Sequence, residues 1–557
     1  MIKKLYLPIV ALLVLAFSSC SKMGELSSDY FTTNPEVLEA VGGKVPVTIT
    51  GKFPEKYFKK TATVEVTPVL RWEGGEAKGQ PAMFQGEKVQ GNDQTISYKA
   101  GGTYTMKASF DYVPEMAKSE LYLDFKIKKG KKEYTIPSVK IADGVIATSE
   151  LPTVASANAA NAADAFQRII KQAKEAQIMF LIQQANLRSS ELKAEGIKDF
   201  HKQVAVVAGD TKNYKLNNIE ISAYASPDGG VKLNTGLAEK RQDNTEKYMK
   251  QQLKKGKIET NVDTEYTAQD WEGFQELVSK SNIQDKDLIL RVLSMYQDPE
   301  QRETEIKNIS SVYKTLADEI LPQLRRARLT ANYDVIGRSD EEINAAFDTD
   351  ASVLSVEELL YAATLTNDNA RKEAIYKKTI ELYPNDYRAY NNLGEIAYLT
   401  DKAAAENYFK QAASKNANAP EVNTNLGLIE LVKGNVANAE TYLAKATGAN
   451  TANEALGNLY IKQGQYDKAV AAFGDTKTNS AALAQILAKD YNKAKNTLTA
   501  VKNADAYTDY LMAIVGARTN NADLVKTSMA KVAQKDAALA AKAANDREFA
   551  KYANEIK

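Results

Sequence analysis

The stretch AYNNLGEIAYLTDKAAAENYFKQA at residues 389–412 decides the fold of the C-terminal part, because its pattern returns twice. The returns are VNTNLGLIELVKGNVANAETYLAKA at 422–446 and NEALGNLYIKQGQYDKAVAAF at 453–473. A Leu-Gly pair recurs at spacings of 33 and 30 residues, and each copy then carries one alanine and, four positions later, one bulky residue. These positions are Gly394, Ala405 and Phe409; Gly427, Ala439 and Leu443; Gly457, Ala469 and Phe473.

This period, with small residues where two helices must approach closely, resembles the tetratricopeptide repeat. We therefore predict an all-α, tetratricopeptide-like solenoid over residues 339–557, with an Ala-rich helical bundle of chance spacing as the alternative. ELYPND around Pro384 resembles the end of an earlier copy, and two degenerate copies follow the third. Ser339 and Ser355 each stand three residues before a glutamate, which predicts two capping-box helix starts.

The N-terminal part alternates apolar and other residues with period two. Val45, Val47 and Ile49 form one such run, and similar runs near residues 64, 104 and 121 are separated by turn sequences. This pattern predicts antiparallel strands, and we expect an all-β, immunoglobulin-like sandwich over residues 21–148. Residues 149–164 are small and polar without an apolar period, so we predict a linker that can turn helical at its end.

The stretch IEISAYASPDGGVKLNTGLAEKRQDNTEKYMKQQL at residues 219–253 resembles the OmpA-like domain, which grips peptidoglycan in the periplasm. Gly229 stands at the loop glycine of that family, and a helix motif matches at Asn234, Leu237 and Arg241. LRRARLTANY resembles the closing strand of the family. The resemblance implies a central α+β domain over residues 165–338, in which a sheet is covered by helices on one face and a helical insert precedes the last strand.

The same resemblance implies a receptor for the diaminopimelate of a peptidoglycan stem peptide. Arg241 offers a planar fork for a carboxylate, near the positive end of a helix, and Asn234 is expected to hold peptide groups of the stem. The aspartate that takes the ammonium in the family is replaced by Ser226, a hydroxyl without charge. Asp228 can supply the missing anion if the loop turns it inward. We therefore expect wall binding to be weaker, altered in ligand, or lost.

The first twenty residues, MIKKLYLPIVALLVLAFSSC, have the form of a secretory signal that ends at a cysteine. Its apolar run is shorter than the roughly 20 residues that a membrane-spanning helix needs. Cys20 is the only cysteine in the chain and resembles the lipidated residue of a bacterial lipobox, with ordinary signal cleavage as the alternative. We predict a membrane-bound lipoprotein on the periplasmic face of the outer membrane.

Composition argues against several other classes of protein. The 72 Lys and Arg nearly balance the 71 Asp and Glu among 557 residues, so we expect no nucleic-acid partner. One histidine and one cysteine supply few groups for Cys/His metal sites or Ser-His catalysis, and we predict no enzyme activity, no metal and no cofactor.

Two functional hypotheses remain. The first is a lipoprotein that tethers the outer membrane to peptidoglycan and scaffolds periplasmic or outer-membrane protein partners through its repeats. The alternative is an accessory subunit that does not bind the wall and serves outer-membrane protein assembly, secretion or pilus biogenesis. The sequence leaves the partner-binding residues unknown.

Overall fold

The computed structural model describes residues 23–308, 310–554 and 556, and it divides into two compact units. One unit combines the chain up to Asp164 with the chain from Thr366 onward, and the other is Ala165–Leu365. The prediction of a β-rich N-terminal region and a helical C-terminal region is confirmed. The predicted signal segment, with Cys20, lies outside the described residues.

The N-terminal part of the first unit contains two sheets that enclose one apolar core. The smaller sheet has strand order β1-β3-β8, and the larger has the order β2-β10-β9-β4-β6-β7, with β5 paired to β4. The alternation in the sequence predicts the inward side chains correctly: Val45, Val47 and Ile49 are all buried. The strands are β1 Phe31–Asn34, β2 Val37–Glu39, β3 Lys44–Phe53, β4 Ala62–Trp72, β5 Gly75–Lys78, β6 Ala82–Gly86, β7 Gln94–Ile96, β8 Gly102–Asp111, β9 Ser119–Lys129 and β10 Lys132–Ile146.

The second unit contains a four-stranded sheet of order β11-β14-β12-β13, in which only β12 and β13 run parallel. Two helices, α2 and α3, pack on one face of this sheet around a shared apolar core, as expected. Further helices stand between β13 and β14, where the insert is predicted. The elements are β11 Ile169–Met179, α1 Ser189–Leu192, α2 Glu195–Gly209, β12 Tyr214–Tyr224, α3 Val231–Gly256, β13 Asn261–Thr267, α4 Trp271–Lys280, α5 Lys286–Met295, α6 Pro299–Asn308, α7 Ser310–Thr315, β14 Arg326–Ile336, α8 Asp340–Asp350 and α9 Val356–Thr364.

Both predicted capping boxes are present at the end of this unit. The Ser339 hydroxyl accepts the backbone N–H of Glu342, whose carboxylate accepts the backbone N–H of Ser339. Ser355 and Glu358 form the same reciprocal pair at the start of α9. These bonds satisfy N–H groups that a helix start would otherwise leave unpaired.

The C-terminal part of the first unit is a series of antiparallel helix pairs. In three of these pairs, a first helix that carries the Leu-Gly motif is joined to a second helix that carries the bulky residue. A Cβ added to Gly394 would lie 2.4 Å from the ring of Phe409, one at Gly427 2.6 Å from Leu443, and one at Gly457 2.5 Å from Phe473. The helices are α10 Asn369–Leu382, α11 Tyr387–Tyr398, α12 Lys402–Lys415, α13 Pro420–Val432, α14 Val436–Leu443, α15 Ala452–Lys462, α16 Tyr466–Phe473, α17 Asn479–Leu487, α18 Tyr491–Thr499, α19 Ala506–Arg518, α20 Ala522–Lys535 and α21 Ala537–Ala543.

The segment predicted to be a linker lies against these repeats. Thr148–Glu150 and Thr153–Ser156 form 3₁₀ turns, and residues 157–164 form neither helix nor strand, so the expectation of a helical end is wrong. Ala157, Ala160 and Ala162 are at most 1% exposed. We call residues 148–162 the strap, and the surface formed by the first helices α11, α13, α15 and α17, on which it lies, the repeat groove.

Within the described residues, no helix combines the length and the apolar character that crossing a membrane would require.

Candidate functional site

The loop between β12 and α3 brings three charged or polar side chains together. Arg325 donates from Nη2 to Asp228 Oδ2 at 3.0 Å and from Nε to the Ser226 hydroxyl oxygen at 3.3 Å. The Ser226 hydroxyl in turn donates to Asp228 Oδ1. The loop therefore turns Asp228 inward, and its partner within the protein is Arg325, the residue immediately before β14.

Asn234 closes the same loop from the first turns of α3. Its Nδ2 donates to the carbonyl oxygens of Ser226, at 2.9 Å, and Gly229, at 2.8 Å. The side chain is buried. Both donors of the amide are thus engaged by the chain itself, where the resemblance expects them to hold a stem peptide.

Arg241 is fully buried and is held by main-chain carbonyls. Its Nε donates to Gln184 at 3.0 Å, its Nη1 to Tyr224 at 2.8 Å and its Nη2 to Leu181 at 3.2 Å. The guanidinium lies 5.0 Å from the ring centroid of Phe180. Burial, with a smaller effect of Arg325, lowers the pKa of Arg241 to about 10, so it remains charged at neutral pH.

The segment from Leu181 to Gln184 therefore covers the guanidinium that the resemblance assigns to the ligand. A stem-peptide carboxylate would have to displace this segment before it could form a bidentate pair with Arg241. The role of Arg241 in wall binding stays a prediction.

A second buried ion pair lies beside the loop. Arg326 Nη2 is 2.9 Å from Asp270 Oδ2, and the Arg326 guanidinium lies 4.7 Å from the ring centroid of Tyr224. Asp270 also caps α4 by accepting the backbone N–H of Gly273. Burial raises the pKa of the Asp270 carboxyl. The sequence indicated that Arg325 and Arg326 belong to the closing strand. It did not reveal that each pairs with a carboxylate of the same domain, Asp228 and Asp270.

An open groove of about 930 Å³ lies between residues 183–186 and the first turns of α3. Val231, 39% exposed, and Leu233, 57% exposed, line it, together with Lys232, Lys240 and Glu300. Two more apolar side chains immediately precede the 183–186 segment: Leu181 is 45% and Ile182 56% exposed. We call this surface the loop groove. Its lining combines exposed apolar side chains with lysine, glutamate and amide side chains.

The single histidine has a local packing role. His201 Nε2 lies 2.8 Å from the hydroxyl of Tyr248, and burial lowers the pKa of the imidazole. Within residues 23–308 and 310–554, no group of three His, Cys, Asp or Glu side chains is placed to hold a metal ion.

The repeat groove contains a set of polar residues that the sequence analysis missed. Asn425 accepts the N–H of Ala160 at 2.6 Å and donates to its carbonyl at 2.9 Å. Asn392 binds Ala162 in the same way, at 2.8 and 2.9 Å. Both asparagines stand directly before a Leu-Gly pair. The signal in the sequence was an asparagine at the same position of two successive repeats. A side-chain amide can bind both the N–H and the carbonyl of one extended residue.

The helix pairs of the C-terminal part have the arrangement that the tetratricopeptide-like repeat pattern of the sequence predicts. No family model matches the chain, and no curated protein matches it. Among solved structures, PilW, a widely conserved type IV pilus biogenesis factor, is 20% identical, with 34% of this chain and 96% of PilW covered and a TM-score of 0.27. A tetratricopeptide repeat protein from Parabacteroides merdae is 14% identical over 38% of this chain and 90% of its own, with a TM-score of 0.28. YrrB, a repeat protein with an unusual peptide-binding site, is 18% identical over 37% of this chain and 100% of its own, with a TM-score of 0.20.

Proposed function

We propose that the chain is a non-enzymatic lipoprotein of the periplasmic face of the outer membrane and that it acts through protein contacts. Its role is that of an accessory subunit in outer-membrane protein assembly, secretion or pilus biogenesis. Cys20 carries the lipid anchor.

The observation that carries this proposal is the internal use of Arg241. A receptor for a carboxylate needs a cation with N–H groups to offer, and three of the N–H donors of Arg241 bind main-chain carbonyls of the same domain. Asn234 also donates to main-chain carbonyls, and Asp228 accepts from the Arg325 side chain. Moving the 181–184 segment would break the bonds of Arg241 to Gln184 and Leu181, and a hydrogen bond to a charged group contributes about 1.5–3 kcal/mol. This cost favours the accessory subunit over the wall tether.

The exposed apolar side chains of the loop groove support a protein partner. Apolar residues in the centre of a surface, with charged residues at its rim, are typical of protein interfaces. The partner surface that fits is an apolar segment flanked by acidic groups, because Lys232 and Lys240 border the groove. The wall tether remains the competing proposal and predicts contact with muropeptides at the same place.

Photo-crosslinking in intact envelopes tests this proposal. A benzoylphenylalanine replaces Leu233 in the loop groove, and a matched variant carries it at Val206, an apolar residue of α2 that is 47% exposed. We expect discrete, protease-sensitive adducts at position 233 and not at 206, and their loss when Val231 is changed to Asp in the same chain. Adducts at 233 that muramidase digestion removes would favour the wall tether, and the same adducts at both positions would contradict a specific interface.

The lipid anchor is tested separately. Cys20→Ser is expected to abolish incorporation of radiolabelled palmitate and to release the chain from outer-membrane fractions, with Ser18→Ala as a control that keeps both. Palmitate labelling that persists in Cys20→Ser would contradict the anchor without bearing on the loop groove.

A further inference from the structure

The strap lies in the repeat groove with regular hydrogen bonding. Residues 158, 160 and 162 all turn their main-chain groups toward the first helices, the arrangement of alternate residues in an extended chain. Ala160 and Ala162 are clamped by Asn425 and Asn392, and Glu454 accepts both the side-chain amide and the backbone N–H of Asn158.

The contacts of the strap span nearly all of the repeats, and from Asn158 to Ala162 they run against the repeat order, from Glu454 through Asn425 to Asn392. Beginning at its N-terminal end, the Thr148 hydroxyl donates to Glu548 at 2.7 Å. The Ser480 hydroxyl donates to the Thr153 carbonyl at 3.4 Å, and the Tyr398 hydroxyl to the Val154 carbonyl at 3.0 Å. The strap is therefore bound along its length rather than at one end.

The bonds at the centre of the strap are buried and mutually supported. Asn391, Asn392 and Asn425 are at most 2% exposed. Asn391 donates to the Ala160 carbonyl at 2.8 Å and accepts from Asn425 at 2.9 Å. Because the strap supplies partners to these amides, vacating the groove breaks these hydrogen bonds, and water or another segment must replace them.

The hydrogen bonds at positions 160 and 162 recognise main-chain groups and not side chains. At positions 160 and 162 the bonded atoms are N–H and carbonyl groups, and the methyl side chains there are almost completely enclosed. Any extended segment can supply the main-chain groups, but only small side chains fit at the two clamped positions. Asn158 and Asn161 add side-chain contacts at the two neighbouring positions, to Glu454 and Glu395.

We propose that the repeat groove is a peptide-binding site for extended segments with small residues at alternate positions, and that the strap is its resident ligand. A protein partner reaches this groove only by displacing the strap. Partners that bind while the strap is in place use other surfaces, so the inference goes beyond the proposed function and does not depend on the loop groove.

The covalent tether gives the strap an advantage over a free peptide in competition for the groove. A tethered ligand has an effective concentration of order millimolar, so a free peptide at micromolar concentration cannot replace the strap in the unmodified chain. Weakening the strap removes this advantage. Ala160→Pro with Ala162→Pro deletes the two N–H donors to Asn425 and Asn392, while proline keeps an extended backbone. Ala163→Pro, at an exposed position one residue on, is the matched control.

The experiment measures fluorescence anisotropy of a labelled peptide of residues 151–164 with the mature chain, residues 21–557. We expect binding to the double proline variant at least 10-fold tighter than to the unmodified chain or to Ala163→Pro. Adding Asn425→Asp, which removes the amide donors, should abolish the gain, and Asn423→Asp, a buried asparagine of the same helix that bonds to Ala417 and Ala419, should not. Equal binding to the unmodified and double proline chains would overturn the proposal.

Hydrogen exchange gives a second readout that does not depend on the double proline variant. The amides of Ala160 and Ala162 should exchange at least 100-fold more slowly than in the free 151–164 peptide, and Asn425→Asp should reduce this protection. Exchange at the rate of the free peptide would show that the strap does not occupy the groove and would overturn the proposal. If the double proline variant does not fold, this measurement decides alone.

Discussion

Nη1 of Arg241 donates a hydrogen bond of 2.8 Å to the carbonyl oxygen of Tyr224, the last residue of β12. The bond joins helix α3 to the end of the strand that precedes it, and the other bonds of the guanidinium reach the 181–184 segment. Arg241, which the sequence analysis assigned to ligand binding, therefore links α3 to β12 and to the 181–184 segment within one domain.

This crosslink predicts a large stability effect. Arg241→Met keeps most of the apolar stem but removes all donors, so the carbonyls of Leu181, Gln184 and Tyr224 lose a charged partner, and we expect the free energy of unfolding of this unit to fall by about 3 kcal/mol or more. Lys240→Met, at the exposed neighbour on the same helix, should change it by no more than about 0.5 kcal/mol. Urea denaturation checks both. A loss under 1 kcal/mol in Arg241→Met would contradict the structural role.

Restoring the aspartate of the OmpA-like family at position 226 should not restore a receptor. Ser226→Asp places a second carboxylate in contact with Asp228, and like charges at this distance raise the pKa of one of them. A carboxyl whose folded pKa is raised stabilises the fold below its unfolded pKa and loses that contribution as pH rises through the folded value.

We therefore expect Ser226→Asp to lower the melting temperature relative to the unmodified chain more at pH 8 than at pH 4. The double variant Ser226→Asp with Asp228→Asn carries one carboxylate and should recover most of the loss at pH 8. Thermal melts across this pH range provide the measurement, and a deficit independent of pH would argue against carboxylate repulsion as the cause.

The glycines of the repeats predict a clash that can be relieved. In Gly427→Ala the new methyl lies 2.6 Å from Leu443, so we expect a loss of about 1–3 kcal/mol despite the better helix propensity of alanine. Adding Leu443→Ala should cost less in the Gly427→Ala background than alone. Gly236→Ala, in an open part of α3, should instead gain about 0.5–1 kcal/mol. Additive losses at 427 and 443 would contradict the packing.

The strap should bind better in acid than at neutral pH through one of its contacts. Burial raises the pKa of Glu454, and Asn158 only partly offsets this. The protonated form is therefore favoured in the fold: its contribution to stability is present below the ordinary glutamate pKa and is lost as pH rises through the raised value.

Glu454→Gln mimics the protonated form and can still accept the bond from Asn158. We expect the variant to be more stable than the unmodified chain at pH 8, with the difference vanishing toward pH 4, and Glu440→Gln, at an exposed position, to show no such trend. Chemical denaturation across this range checks it. A larger advantage for Glu454→Gln at pH 4 than at pH 8 would contradict the burial argument.

Local patterns were sufficient to predict much of this architecture. The Leu-Gly period and the alternation around Val45 depend on neighbours close in sequence or on a repeated unit, so both carried over into the helix pairs and the strands. The capping boxes at Ser339 and Ser355 are set within four residues and are present.

The candidate site was harder to predict because its partners are distant in sequence. Arg241 is satisfied from residues 181 to 184, Asp228 from Arg325, and the strap from helices more than 200 residues away. No short motif encodes which long-range partner a buried polar group finds. The small residues of 149–164 therefore predicted a linker and did not reveal that this segment is bound in the repeat groove.

Co-sedimentation with purified sacculi is the most direct test of the claim that the chain acts through protein contacts and not through the wall. The mature chain, with a wall-binding protein as positive control, is mixed with sacculi that contain diaminopimelate and is pelleted. We predict that it remains in the supernatant at every concentration, and that Arg241→Lys does the same. Saturable pelleting of the unmodified chain that soluble diaminopimelate muropeptides compete away would contradict the claim.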